Sequence, residues 1–213
     1  MIHLRSKFTT AATVALMAAA PLAFAGQSYA ASMKSDMSGM QSGDMQSGDM
    51  MKHKTKMVGG AAMYPNKNIV ENAVHSKDHT TLVAAVKAAG LVDTLSGPGP
   101  FTVFAPTNEA FKMLPAGTVE TLLKPENKAM LTKVLTYHVV PGEHDAANLV
   151  GLIQKGGGKA ELKTVEGDTL TVTKLDGKTL GVTDDKGQTA KITIRDVYQS
   201  NGVIHVVNKV LMP

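Results

Sequence analysis

The chain of 213 residues has no cysteine and no tryptophan, and only five Phe and four Tyr. Without cysteine there is no disulfide, no thiolate metal site and no thiol nucleophile, so stability has to come from a packed core. About 150 residues from Tyr64 onward suffice for one domain burying roughly 68–70% of its unfolded surface. Neither sign of charge dominates: 22 Lys and Arg against 18 Asp and Glu leave +4, or +2 once Arg5 and Lys7 depart with the leader described below. With no dense basic stripe and few aromatic rings to stack bases, a nucleic-acid interface has no support. Beyond residue 25 no apolar run is long enough to span a bilayer. The chain also lacks Gly-x-Ser-x-Gly, His-Glu-x-x-His, Arg-Gly-Asp and Asn-x-Ser/Thr sequences. These absences remove the support for the commonest hydrolase and zinc motifs, for integrin contact through that tripeptide and for N-glycosylation.

What is present begins with a leader. Arg5 and Lys7 form a basic start, residues 8–22 are apolar or small, and Ala23-Phe24-Ala25 precedes Gly26. This pattern predicts a secretory signal peptide over residues 1–25, with Ser28-Tyr29-Ala30 as a second cleavage site. The run is too short and too rich in Thr and Ala to read first as a membrane anchor. Secretion to the periplasm or beyond is therefore expected, with no membrane span in the mature chain.

Residues 26–63 differ in composition, with methionines set among Ser, Gly, Asp, Gln and Lys and a direct repeat of Met-Gln-Ser-Gly-Asp at Met40 and Met45. Such a stretch has too little apolar area to offset backbone ordering, so a disordered tail is expected. Two readings stand for its methionines. It is a plain tether or a sacrificial oxidant sink, or Met37, Met40, Met45, Met50 and Met51, with His53, hold Cu(I) or Ag(I) through soft neutral thioethers. No other cofactor is expected.

From residue 64 the chain carries folded-domain periodicity. Ile69, Val70, Ala73 and Val74 recur at helical spacing, as do Leu82, Val83, Val86 and Ala89, which end at Gly90. Further helical pieces are expected over 107–113, 118–123, 125–135 and 146–153. Leu170 and Val172, Leu180 and Val182, and Ile192 and Ile194 alternate with period two between Gly167, Asp176-Gly177, Gly187 and Asn201-Gly202, which predicts an antiparallel meander. Lys155-Gly156-Gly157-Gly158-Lys159 is a surface loop; it lacks the strand-to-helix setting and the Lys-Ser/Thr register of a phosphate cradle.

Three segments carry the most information. In Phe101-Thr102-Val103-Phe104-Ala105-Pro106-Thr107-Asn108-Glu109-Ala110-Phe111 an apolar strand ends at Pro106, and Thr107 stands where a helix N-cap belongs. Tyr137-His138-Val139-Val140-Pro141-Gly142 follows. Asn201-Gly202-Val203-Ile204-His205-Val206-Val207 opens with a turn pair and continues as a strand too apolar to leave one face in water, hence central. In this order and spacing the segments resemble the fasciclin domain family over residues 64–213. The structural motif residues are Phe104, Pro106, Thr107, Phe111, Tyr137, His138, Pro141, Gly142, Asn201, Gly202, Ile204 and His205. Asn208 departs from the resemblance, standing where the family often has Asp.

The resemblance implies an α+β fold, a twisted antiparallel β-sandwich with a helical group packed at one side. It also implies a non-catalytic module that binds protein, cell-surface or matrix partners. A periplasmic soft-metal protein acting through the tail is the alternative. His138 and His205 are the best-placed acid-base candidates, since imidazole titrates near neutrality. The favoured reading makes them buried rings whose nitrogens find hydrogen-bond partners. His75 and His79, four apart, are expected as solvated loop histidines.

Overall fold

The computed structural model describes residues 54–213. The leader over 1–25 and most of the methionine tail lie outside the described residues. Nine strands and seven helices follow in chain order among them. A short hairpin, β1 (Lys56–Val58) and β2 (Ala61–Met63), precedes a helical group: α1 (Ile69–Ala73), α2 (Thr80–Ala89) and α3 (Val92–Ser96). Strand β3 (Phe101–Pro106) then leads into α4 (Asn108–Lys112), α5 (Thr118–Leu122) and α6 (Lys128–Tyr137). Next come β4 (Val139–Pro141), α7 (Ala146–Lys155), β5 (Lys159–Lys163), β6 (Thr169–Lys174), β7 (Leu180–Thr183), β8 (Thr189–Gln199) and β9 (Gly202–Val207).

The hairpin corrects the expected boundary. Val58 and Met63, inside the tail expected over residues 26–63, are buried in the core beneath the helices. The Gly59 carbonyl accepts from Lys77 N–H at 3.1 Å, fastening the hairpin to the turn before α2. Two short strands with few branched residues gave no period strong enough to separate them from the tail.

Local chemistry explains the helix ends. Asn68 caps α1 in a reciprocal box with Glu71, Thr107 caps α4 by accepting from Ala110 N–H, and Asp145 caps α7 by accepting from Asn148 N–H. Gly90 stops α2 in the left-handed conformation that a C-cap favours. The helix expected over 125–135 is a 3-10 turn (Pro125–Asn127) running into α6, and α3 was not foreseen.

Seven strands form one sheet in the order β4-β3-β9-β8-β7-β6-β5. The expected meander of β5 to β9 is present and antiparallel throughout. The pairing of β3 with β9 is parallel, from Phe101 opposite Gly202 to Pro106 opposite Val207. Strand β8 carries register shifts between Ile192 and Ile194 and between Ile194 and Val197. The second contains Asp196 at φ +57°, the one described residue other than glycine in the left-handed region. Such bulges bend a strand and raise its twist, so the β5–β7 half folds over the β9–β3–β4 half. Val165 N–H donates to the Val139 carbonyl at 2.8 Å, bringing the two ends of the sheet together.

Alternate residues of the central strands feed two cores. Val103, Ala105, Ile204 and Val206 face the helices, while Phe104 and Val207 face the interior between the sheet halves with Leu149, Leu170, Val172 and Val182. Every residue of β9 is buried, which accounts for an apolar run that only His205 interrupts.

Asn201 ties these parts together. Its Oδ1 accepts from Ile69 N–H at 3.0 Å, and its Nδ2 donates to the Leu95 and Gly97 carbonyls at 2.8 and 3.0 Å. The positive φ expected of this turn pair falls on Gly202 alone, at +150°, where a Cβ would collide with the Phe101 carbonyl. Replacing Asn201 by Ala orphans one N–H and two carbonyls, each costing about 1–3 kcal/mol where buried. We expect Asn201→Ala to lower the melting temperature by roughly 6 °C or more, at about 2–4 °C per kcal/mol for a domain of this size. Thermal unfolding followed by circular dichroism checks this, and a shift under about 2 °C would show the tie to be dispensable.

Candidate functional site

The three sequence segments meet in space. The strands of the first and third lie side by side as β3 and β9, and β4, from the second, pairs with β3 on its other edge. Phe104 N–H donates to the His138 carbonyl at 2.9 Å, locking the end of α6 against the sheet.

His138 is 2% exposed, and both ring nitrogens are engaged. Leu211 N–H donates to Nε2 at 3.0 Å, so Nε2 is the unprotonated nitrogen and Nδ1–H donates to the Val134 carbonyl at 2.7 Å. Burial pushes its pKa down to about 4, against weaker opposition from the Val134 carbonyl and Asp184. His205, fully buried, follows the same logic. Asp196 N–H donates to Nδ1 at 3.3 Å and Nε2–H donates to the His144 carbonyl at 2.8 Å. Its pKa is lowered by burial, and the His144 carbonyl and the charges of Asp196 and Asp145 oppose that. The ring stacks on Phe104, 5.8 Å between centroids. Each histidine is a neutral, doubly bonded pillar, with no lone pair or proton left for a substrate.

Tyr137 is equally buried, and its hydroxyl accepts from Asp185 N–H at 3.0 Å while donating to the Thr169 carbonyl at 3.4 Å. Burial is the main cause that pushes its pKa up to about 12. Pro106 and Phe111 are buried at the β3–α4 junction, where Thr107 caps the helix, and Ile204 faces the helical core. Pro141 is exposed. Gly142, at φ +95°, accepts at its carbonyl from Thr102 Oγ1 at 2.7 Å. Asn208 does not need a carboxylate for its structural task, since its Oδ1 accepts from Lys191 N–H at 2.7 Å. The structure thus brings the motif residues together as a framework.

Sequence reasoning missed His79. The expected solvated loop histidine is 3% exposed, because a 3-10 turn (Lys77–His79) folds it inward beneath the start of α2, whereas His75 is exposed as expected. Ser76 Oγ lies 2.8 Å from its Nδ1, while its Nε2 is buried with no hydrogen-bond partner. Burial lowers its pKa; the Asp78 charge and the nearby Ala105 backbone, which is outside hydrogen-bond geometry, oppose this more weakly. The Ser76-His79 spacing on a helical turn was the available signal.

His79 also lines a cavity of about 60 Å³ between the hairpin, the helices and the sheet. Its walls are chiefly aliphatic: Val58 and Met63 from the hairpin, Leu82 and Val86 from α2, Val103 and Ile204 from the sheet. A void of that size left empty costs roughly 1–2 kcal/mol, at about 24 cal/mol per Å³.

The metal candidates Met37, Met40, Met45, Met50, Met51 and His53 lie outside the described residues. Among the described residues no group of three His, Asp or Glu side chains is placed to hold a metal ion. Met63 is a core residue and Met57 stands exposed on β1.

The neutral state of His138 makes stability depend on pH. An unfolded imidazole with pKa 6.5 binds a proton that the folded ring, near 4, refuses, so the unfolded state gains protons as pH falls between those values. Stability present above about pH 6.5 is lost on the way to pH 4, by on the order of 3 kcal/mol at 1.36 kcal/mol per unit. His138→Gln is expected to be about 1–3 kcal/mol less stable at pH 7 yet to lose less on acidification. Urea titrations at pH 7, 6, 5 and 4.5 measure both slopes, and parallel slopes would assign the acid sensitivity elsewhere.

Comparison with known proteins gives the same answer as the geometry. The fasciclin domain model matches residues 77–213. Protein sll1483 of Synechocystis sp. is 50% identical over 160 residues, covering 75% of this chain and 81% of that protein. The cell surface glycolipoprotein MPB83 of Mycobacterium bovis is 38% identical over 124 residues, covering 58% of this chain and 48% of its own. The FAS1 domain pair of the insect cell adhesion molecule Fasciclin I superposes with a TM-score of 0.63 at 18% identity, over 70% of this chain and 52% of that one, a likeness of fold. The α+β fold, the three motif segments converging on β4, β3 and β9, and the family match agree: this chain belongs to the fasciclin domain family.

Proposed function

We propose that the chain is a non-catalytic binding module, exported by its leader, that contacts cell-surface or matrix partners. The observation that carries this reading is the use made of the best acid-base candidates. Both ring nitrogens of His138 and of His205 are held by backbone groups in a neutral state, so a fold with these side chains at its centre uses them for support. The setting of one relative, a cell surface glycolipoprotein, supports the same reading. Among the described residues no helix is long and apolar enough to cross a membrane.

Labelled protein added to intact bacterial cells and to isolated matrix should bind saturably, compete with unlabelled protein, and do so equally when residues 1–53 are omitted. Retention no better than that of heat-denatured protein would overturn the reading. So would an activity in the pure protein that His138→Gln abolishes at unchanged melting temperature.

The methionine repeat favours a second role for residues 31–53, as a soft-metal ligand. A peptide covering 32–53 should compete for Cu(I) against a chromophoric chelator and ignore Zn(II), with little pH dependence because thioethers release no proton. Equal competition after Met37, Met40, Met45 and Met50 are changed to Leu would leave the stretch as a tether.

A further inference from the structure

We propose that the cavity beneath the helices binds the apolar chain of a monomeric fatty acid, with Lys87 meeting the carboxylate at the mouth. This is independent of the surface-binding reading. The cavity holds about 60 Å³, several times the roughly 10–15 Å³ that one water needs. Water is a poor occupant, because a buried water requires two to four polar partners and the walls are almost wholly hydrocarbon. An aliphatic chain requires none.

The mouth is marked by the lining residues that keep solvent exposure. Val70 and Ala73 on α1, Val83 and Lys87 on α2 and Val92 on α3 are partly or fully exposed, whereas the lining from the hairpin and the sheet is buried. Lys87 is the charged residue on this rim, and no ion pair with it occurs among the described residues. A deep apolar end and a single cation at the entrance match a molecule with one hydrocarbon chain and one anionic head. The chain end displaces the void, and the methylenes nearer the head cover Val70, Ala73 and Val83.

Titration calorimetry of the full chain with hexanoate, octanoate and decanoate below their micelle concentrations tests this. Affinity should rise by roughly three- to fourfold per added methylene, the increment for burying one CH₂. Methyl signals of Leu82 and Val86 should shift in step with occupancy. Lys87→Glu should weaken decanoate about five- to tenfold and leave 1-decanol within about twofold of its wild-type affinity. Ala73→Phe, at the partly exposed rim, should weaken both ligands, with melting curves confirming that each variant is folded. If decanoate fails to bind, or binds without moving the Leu82 and Val86 methyls, the cavity is not its site. Equal losses of decanoate and decanol in Lys87→Glu would remove the lysine from recognition. Lys87-dependent sedimentation with phosphatidylglycerol vesicles but no binding of monomeric decanoate would replace the fatty acid with a membrane surface and overturn the proposal.

Discussion

Strand β9 is buried on both faces and paired in parallel with β3, and most of the architecture answers to that constraint. A parallel pair cannot be joined by a tight turn, and its two apolar faces both need cover. The chain between β3 and β9 supplies it. α4, α5 and α6 extend the helical side that α1 to α3 begin, and β5 to β8 form the second half of the sheet that closes over the other face. The bulges in β8 are part of this solution, because a strand that ladders with β7 at one end and β9 along the rest has to bend between them.

Polar residues in this core serve the backbone more than any ligand. Where three chain segments meet at odd angles, backbone groups face one another without ladder partners, and a side chain with both donor and acceptor atoms fills the gap. Asn201 does so for α1 and the end of α3, His138 for α6 and the C-terminal segment at Leu211, and His205 for β8 and the loop at His144. Imidazole suits such a post, since in its neutral form it donates from one nitrogen and accepts at the other. The consequence is a core whose polar connections hold at neutral pH and are opposed by protonation.

Much of this was legible from the residues. A strand ending at Pro106 with Thr107 as cap, a helix stopped by Gly90 and a β9 that is apolar except for His205 each follow from local chemistry, and each stands where that chemistry puts it. The parallel partnership of β3 and β9 was not legible, because period and turn residues report local state and carry no register between strands 100 residues apart. The hairpin at 56–63 escaped for a related reason. Its apolar content is modest, and what orders it is the distant Lys77 N–H and the core that Val58 and Met63 enter. His79 was misplaced because four-residue spacing in a polar stretch says nothing about which way a 3-10 turn directs a ring.

The two cores of the domain are not equivalent, and the difference bears on function. The interior between the sheet halves is filled by side chains at or near zero exposure, among them Phe104, Leu149, Leu170, Val172 and Val182. The helical side retains a void, walled by a short hairpin, by α1 and α3 of five residues each, by the longer α2 and by the sheet, with a histidine nitrogen left unpaired nearby. Short helices gain little from their own propensity and depend on packing for order, so α1 and α3 can shift at lower cost than the sheet on the opposite wall. A rigid sheet with its polar posts spent on the backbone, faced by a softer helical layer over an apolar hollow, concentrates the capacity for change on one side. That side, and not the motif histidines, is where this module has room to accommodate a molecule.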